Sequence, residues 1–234
     1  DSEGVYAHSI VCPEGIRHYV LFNFAPGKVL TALNPETAES FGVQLGKIHD
    51  TTANLDIDEL SRSYLPLHLI SSTREVLRTR FDPSDNCHNK LNSIADILSE
   101  KLTPEIIQQL PVGICHGDPH YENAIFNFEH QKLTFIDFDF CGHGHLLYDL
   151  GSFFYYERER PEIQSSFLIG YQSVRTMSAV EISLIPYFQI LMQLFHLGAR
   201  ATHADGIKSP LWHDDQIIEK LDTIAKQLKG LKEE

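Results

Sequence analysis

Hydrophobic and polar positions follow two rhythms along this chain, and the changes between them mark its parts. Val5 to Val11 and Ile16 to Phe24 are strand-like runs flanking Cys12-Pro13-Glu14-Gly15, which predicts an antiparallel hairpin ending at the break Ala25-Pro26-Gly27. The rhythm then becomes helical. Asn34-Pro35-Glu36 supplies an N-cap, a proline at the first helical position and an acid in the first turn, and Ala38, Phe41, Leu45 and Ile48 form one apolar face. That helix should end between His49 and Thr52. Residues 50–69 are polar and irregular, after which Thr73 to Arg80 and Ser84 to Leu102 read as helices, and Thr103-Pro104-Glu105 starts a short one.

Period-two patterning returns briefly in the middle of the chain. Val112 to Cys115, Ala124 to Phe128 and Leu133 to Phe138 predict three short strands, the last two joined by a turn at Glu129-His130-Gln131. Beyond Leu146 the pattern is helical to the end, with Ser178-Ala179-Val180-Glu181 a capping box and Asp214 to Lys229 an amphipathic helix. Ile182 to Ala199 carries no formal charge and approaches the length of a membrane span. Gln189, Gln193, His196, Arg200 and His203 nevertheless recur at helical spacing, so it reads as a buried helix with one polar stripe.

Composition narrows the partners. At 234 residues, 42% hydrophobic and 22% charged, the chain can bury a real core. A formal charge of -13 disfavours nucleic acid and anionic membranes, which reward clusters of Lys and Arg. The same field is compatible with a cationic ligand, and Asp205, Asp214 and Asp215 are acids that would suit one. Cys12, Cys87, Cys115 and Cys141 form no CxxC pair, and the first residues resemble no signal peptide, so a reduced, cytoplasmic protein is expected.

The densest chemistry lies in His116-Gly117-Asp118-Pro119-His120-Tyr121-Glu122-Asn123 and Ile136-Asp137-Phe138-Asp139-Phe140. An Asp, an Asn five positions later and an Asp two strands on provide one proton acceptor and two oxygen ligands for a hard dication, the set that phosphoryl transfer requires. Asp118 is the candidate base, with His116 packed and hydrogen-bonded beneath its loop and Gly117 allowing the tight turn. Asn123 and Asp137 are the candidate Mg2+ ligands. Asp139 either joins them or braces the loop.

These residues, with Tyr148-Asp149-Leu150 downstream, resemble the aminoglycoside phosphotransferase and choline kinase family, whose motif is HGDxHxxN followed by ID(F/W)(D/E) and a DL pair. Arg17 to Gly27 resembles that family's strand and nucleotide hinge, and Leu45-Gly46-Lys47-Ile48-His49 the helix that follows. The resemblance implies an α+β, protein-kinase-like fold, mainly its helical carboxy-terminal lobe with a small catalytic β-hairpin. Residues 1–27 would be a remnant of the amino-terminal lobe and 28–234 the catalytic and substrate-binding lobe. It implies ATP bound along Phe22, Asn23, Phe24 and Ala25, Mg2+ at Asn123 and Asp137, Asp149 stabilising the catalytic loop, and transfer of the γ-phosphoryl group to the hydroxyl of a small molecule. An aminoglycoside, choline, homoserine or a sugar-like acceptor all remain open.

The family also carries a phosphate-covering loop and a strand lysine ahead of the hinge. Here about two strands precede the hinge and Lys28 follows it, so the expectation is a chain lacking most of that lobe, by truncation or natural loss, and binding nucleotide weakly. Three alternatives stand beside this one: a non-catalytic pseudokinase, a protein Ser/Thr kinase, and a two-metal hydrolase drawing on Cys115, His116, Asp118, His120, Cys141, His143 and His145.

Overall fold

Strands β1 (Ala7–Cys12) and β2 (Gly15–Val20) pair antiparallel from Ala7 opposite Val20 to Cys12 opposite Gly15, as the alternation around the turn predicts. The computed structural model describes residues 7–53, 62–82, 84–206 and 213–233, so Val5 and Tyr6 of the predicted first strand lie outside it. β2 ends at Val20 rather than Phe24. Residues 21–26 carry no regular structure. The chain then docks through β3 (Lys28–Val29) on β6 (Ala124–Asn127), a pairing the sequence did not suggest. Gly27 makes the approach possible: its φ is 138°, and a Cβ there would run into the Phe126 carbonyl.

Helix α1 (Pro35–Thr52) starts where its capping signals place it. Asn34 Oδ1 accepts the Thr37 N–H at 2.8 Å, and Thr37 Oγ1 accepts the Asn34 N–H at 2.9 Å. Its face of Ala38, Phe41 and Leu45 is fully buried. Phe41 meets Phe135 edge-on at 4.6 Å between centroids and Phe153 at 5.2 Å, while Phe153 stacks on Phe167 at 3.9 Å. Each such pair contributes about 0.5–1.5 kcal/mol beyond its burial. The cluster therefore clamps together α1, β7 (Lys132–Phe135), α5 (Leu147–Tyr156) and α6 (Pro161–Val174), the elements that carry the site.

Two short strands and a helix start depart from the sequence reading. Ser63–Tyr64 forms β4 and Gly142–His145 forms β8, which pairs parallel with β4 and antiparallel with β5 (Val112–Cys115). A glycine-histidine repeat has no strand-like apolar rhythm, so β8 is set by its neighbours. Helix α2 (Pro66–Arg80) opens seven residues before Thr73, with Pro66 in the first turn and Leu69 and Ile70 buried. β7 stops at Phe135, not Phe138, because Asp137 has φ 60° and cannot continue a strand.

The remaining helices agree with expectation: α3 (Asn86–Lys101), α4 (Pro104–Ile107), α7 (Ala179–Gly206) and α8 (Asp214–Glu233). The predicted capping box of α7 forms, Ser178 Oγ accepting the Glu181 N–H at 3.1 Å and Glu181 accepting the Ser178 N–H at 2.9 Å. The stretch Ala179–Ala201 is long and apolar enough to cross a bilayer, with mean hydropathy 1.3 over an 18-residue window, yet 61% of that window is buried inside the fold. Its apolar surface serves the core.

Candidate active site

The loop after β5 is shaped by one buried carboxylate. Asp149, in the first turn of α5 and fully buried, accepts the His116 N–H at 2.7 Å on one oxygen and the Gly117 N–H at 2.9 Å on the other. His49 donates to it from Nε2 at 3.0 Å, and Tyr171 Oη lies 2.9 Å from His49 Nδ1. Asp149 thus ties the last turn of α1 to the loop. Gly117 has φ 88°, and a Cβ there would collide with the Phe140 carbonyl and the Tyr64 hydroxyl, which itself donates to that carbonyl. Only glycine fits.

His116 is fully buried, 3.1 Å through Nε2 from the Ile136 carbonyl, with Nδ1 accepting the Asp118 N–H at 3.4 Å and its ring against Phe135 and Phe138. With no exposed surface, His116 sits packed and hydrogen-bonded beneath the Asp118 loop.

Asp118 faces outward, half-buried. Oδ1 accepts the Tyr156 hydroxyl at 2.9 Å, and Oδ2 lies 3.4 Å from His120 Nε2 and 3.5 Å from Asn123 Nδ2. Burial pushes its pKa up, but the hydrogen bonds from His120 and Tyr156 outweigh burial and leave it below the ordinary carboxylate value. The same contact raises the His120 pKa, burial opposing it. Asp118 is therefore ionised at neutral pH.

Asn123 ends a 3-10 turn (Tyr121–Asn123) and is buried, its amide nitrogen donating to the Asp118 carbonyl at 3.0 Å. That leaves its side-chain oxygen for a cation. Its own carbonyl accepts the Ile136 N–H at 3.0 Å, which fixes the start of the Asp137 loop beside it. Asp137 is exposed in the left-handed region, at a cost of about 1–2 kcal/mol. One of its oxygens accepts the Asp139 N–H at 3.4 Å, and Arg62 donates to the Asp139 carbonyl while lying 4.9 Å over the Phe140 ring. An amide oxygen and exposed carboxylates are hard donors that fit Mg2+ shared with phosphates. No group of three His, Cys, Asp or Glu side chains suited to a metal occurs among the described residues. The His- and Cys-rich run disperses instead: Cys115 donates to the His145 carbonyl, and His143 and His145 belong to β8.

Asp118 lines a cavity of about 390 Å³ with His120, Phe140, Tyr156, Phe195 and His196. A second cavity of about 260 Å³ shares Tyr156, His196 and Arg200 with it and adds Gln193 and Lys220. The polar stripe of α7 therefore meets the site at Gln193, His196 and Arg200, while the side chains of His203 and Asp205 fall outside the described structure. Tyr156 and Lys220 were missed by sequence reasoning; the tyrosine pair ending α5 was the available signal. Asp214 is paired with Arg80 at 2.7 Å, and Asp215 is an exposed first-turn acid of α8. Phe22, Asn23 and Phe24 are exposed and Ala25 half-buried in the segment leading to Gly27. A larger cavity of about 580 Å³ among α2, α3 and α4 is lined mostly by apolar side chains and contains none of these residues.

Residues 4–181 match the model of the phosphotransferase enzyme family. The chain belongs to that family. Among its relatives are an uncharacterised Synechocystis protein, 29% identical over 214 residues that cover 88% of this chain, and human ethanolamine kinase 1, 30% identical over 142 residues covering 57% of it. The chain spans 57% and 31% of their respective lengths. Its fold matches a microcompartment-associated aminopropanol kinase (TM-score 0.71, 20% identity, 98% of this chain and 72% of that one). It also matches an amicoumacin kinase solved with AMP-PNP, Ca2+ and Ami (TM-score 0.68, 19% identity, 98% and 70%). These likenesses establish the kinase-like α+β fold expected from the motif.

Proposed function

We propose that this member of the phosphotransferase enzyme family transfers the γ-phosphoryl group of ATP to the hydroxyl of a small molecule. The observation that carries the reading is the ionised Asp118 at the wall of a small-molecule cavity, with the Asn123 amide locked against it and the Asp137 loop anchored to Asn123.

In this reading Asp118 orients the acceptor hydroxyl and receives its proton as the oxygen bonds to the γ-phosphorus and the bond to the ADP oxygen breaks. Its depressed pKa makes it a weak base, which suits a loose transition state in which the proton leaves late. Asn123 and Asp137 would hold Mg2+, with Asp139 either joining them or bracing the loop, and the ion would neutralise charge on the transferring group. Tyr156 and His120 fix the direction of the Asp118 carboxylate. The backbone from Phe22 to Ala25 takes the adenine, and residues 28–234 form the catalytic lobe with 1–27 as hairpin and hinge. Support for the nucleotide comes from the resemblance and from the docking of Gly27 on the catalytic hairpin.

The test is ADP release from Mg-ATP across a panel of small alcohols, with Asp118→Asn as control. The variant should lose about 10²–10⁴-fold in turnover, the usual contribution of a general base, while still binding nucleotide. Full turnover in the variant would remove Asp118 from this role. Nucleotide binding without transfer to any acceptor would favour the pseudokinase.

A further inference from the structure

The cavity adjoining the Asp118 site is lined by a half-buried lysine, in a chain whose formal charge is -13. The described lining of this 260 Å³ space includes Lys220 and no carboxylate. Two acids of α8 are paired with cations of neighbouring helices, Asp222 with Lys90 of α3 at 2.6 Å and Asp214 with Arg80 of α2 at 2.7 Å. Lys220 is half-buried and makes only neutral contacts among the described residues. Its Nζ donates to Gln193 Oε1 at 2.8 Å and Tyr155 Oη at 3.1 Å, and lies 5.1 Å from the Tyr155 ring centroid.

An ammonium group has three protons to donate, and these contacts occupy two. Gln193 is itself fixed, its amide nitrogen donating to Gln227 Oε1 at 3.0 Å, so its oxygen is held toward the lysine. A second group points the same way. His196 Nε2 is buried without a hydrogen-bond partner in a ring that lines both cavities, and burial lowers its pKa to about 4, so the ring is neutral and able to donate or accept. A partly buried cation and an orphaned buried nitrogen are each costly unless a ligand completes them.

We propose that the acceptor carries an anionic group, a carboxylate or a phosphate, that Lys220 and His196 hold in the second cavity while its hydroxyl lies against Asp118 in the first. The inference rests on the phosphotransferase reading and departs from the amino alcohols named for the related kinases. Lys220 is then a specificity-determining residue that selects by charge.

The experiment uses acceptors of similar reach: 4-hydroxybutyrate and glycerol 3-phosphate as anions, 1,4-butanediol as neutral and 4-aminobutan-1-ol as cation. The wild-type chain should favour an anion in kcat/KM, and the two anions separate carboxylate from phosphate. Lys220→Met should lower the anion-to-neutral ratio of kcat/KM at least tenfold, mainly through KM, and Lys220→Arg should restore most of it. Preference for the cation, or a ratio unmoved by Lys220→Met, would overturn the proposal. If no acceptor is phosphorylated, the phosphotransferase reading fails separately. Calorimetric titration of the same two anions then decides the site: binding lost in Lys220→Met supports it, and no binding to wild type overturns it.

Discussion

Replacing Asp149 by Asn removes one charge and little else, and its effect can be worked from the structure. The carboxylate is fully buried and accepts three hydrogen bonds, from the His116 and Gly117 amides and from His49 Nε2. Hydrogen bonds to a charged group each contribute about 1.5–3 kcal/mol net. Asn keeps one acceptor oxygen and turns an NH2 group toward a donor, so at least one bond is lost and one becomes repulsive. Breaking a buried charged cluster from one side costs about 3–5 kcal/mol. Against a total stability of about 5–15 kcal/mol that is a large fraction. In urea, at a slope of about 1–3 kcal/mol per molar, the far-UV CD midpoint should fall by about 1–5 M. Amide exchange at His116 and Gly117 should accelerate in the same variant, and a double-mutant cycle with His49→Gln should show coupling of at least about 0.5 kcal/mol. A midpoint within about 0.3 M of wild type, with unchanged exchange at those amides, would refute the claim that Asp149 shapes the loop.

Tyr156→Phe removes the donor to Asp118 Oδ1, so the Asp118 pKa should rise and the acid limb of the kcat/KM profile should move to higher pH. The sign for stability follows from the same shift: a depressed carboxylate stabilises the fold above its unfolded pKa and loses that contribution as pH falls through the folded value, so the variant should be less resistant to acid. An unmoved limb and unchanged acid unfolding would count against the hydrogen bond. Gly117→Ala meets a left-handed φ together with clashes against the Phe140 carbonyl and the Tyr64 hydroxyl, and should cost more than about 2 kcal/mol or abolish turnover; a wild-type midpoint and activity would show that the loop can relax.

The sequence determined what local rules determine. Asn34-Pro35 and Ser178 with Glu181 announced the starts of α1 and α7 because capping uses residues only three positions apart. The order of HGDPHYEN, strand, turn, strand and IDFD placed Asp118, Asn123 and Asp137 in one region, because the β6–β7 hairpin fixes their separation by its own register. The family followed from the same residues. Tertiary structure decided what depends on contacts distant in sequence. β8 is a strand only because β4 and β5 flank it, and β3 only because Gly27 can press against Phe126. Asp149 is expected to brace the loop, but that α1 brings His49 onto the same carboxylate is decided by packing alone. Tyr156, the last residue of α5, faces Asp118, and Lys220 of α8 faces Gln193 of α7 across a cavity that no spacing encodes. The residues proposed for transfer lie in two short motifs joined by one hairpin, whereas the surface proposed to select the acceptor is assembled from helices dozens of residues apart, and only their packing creates it.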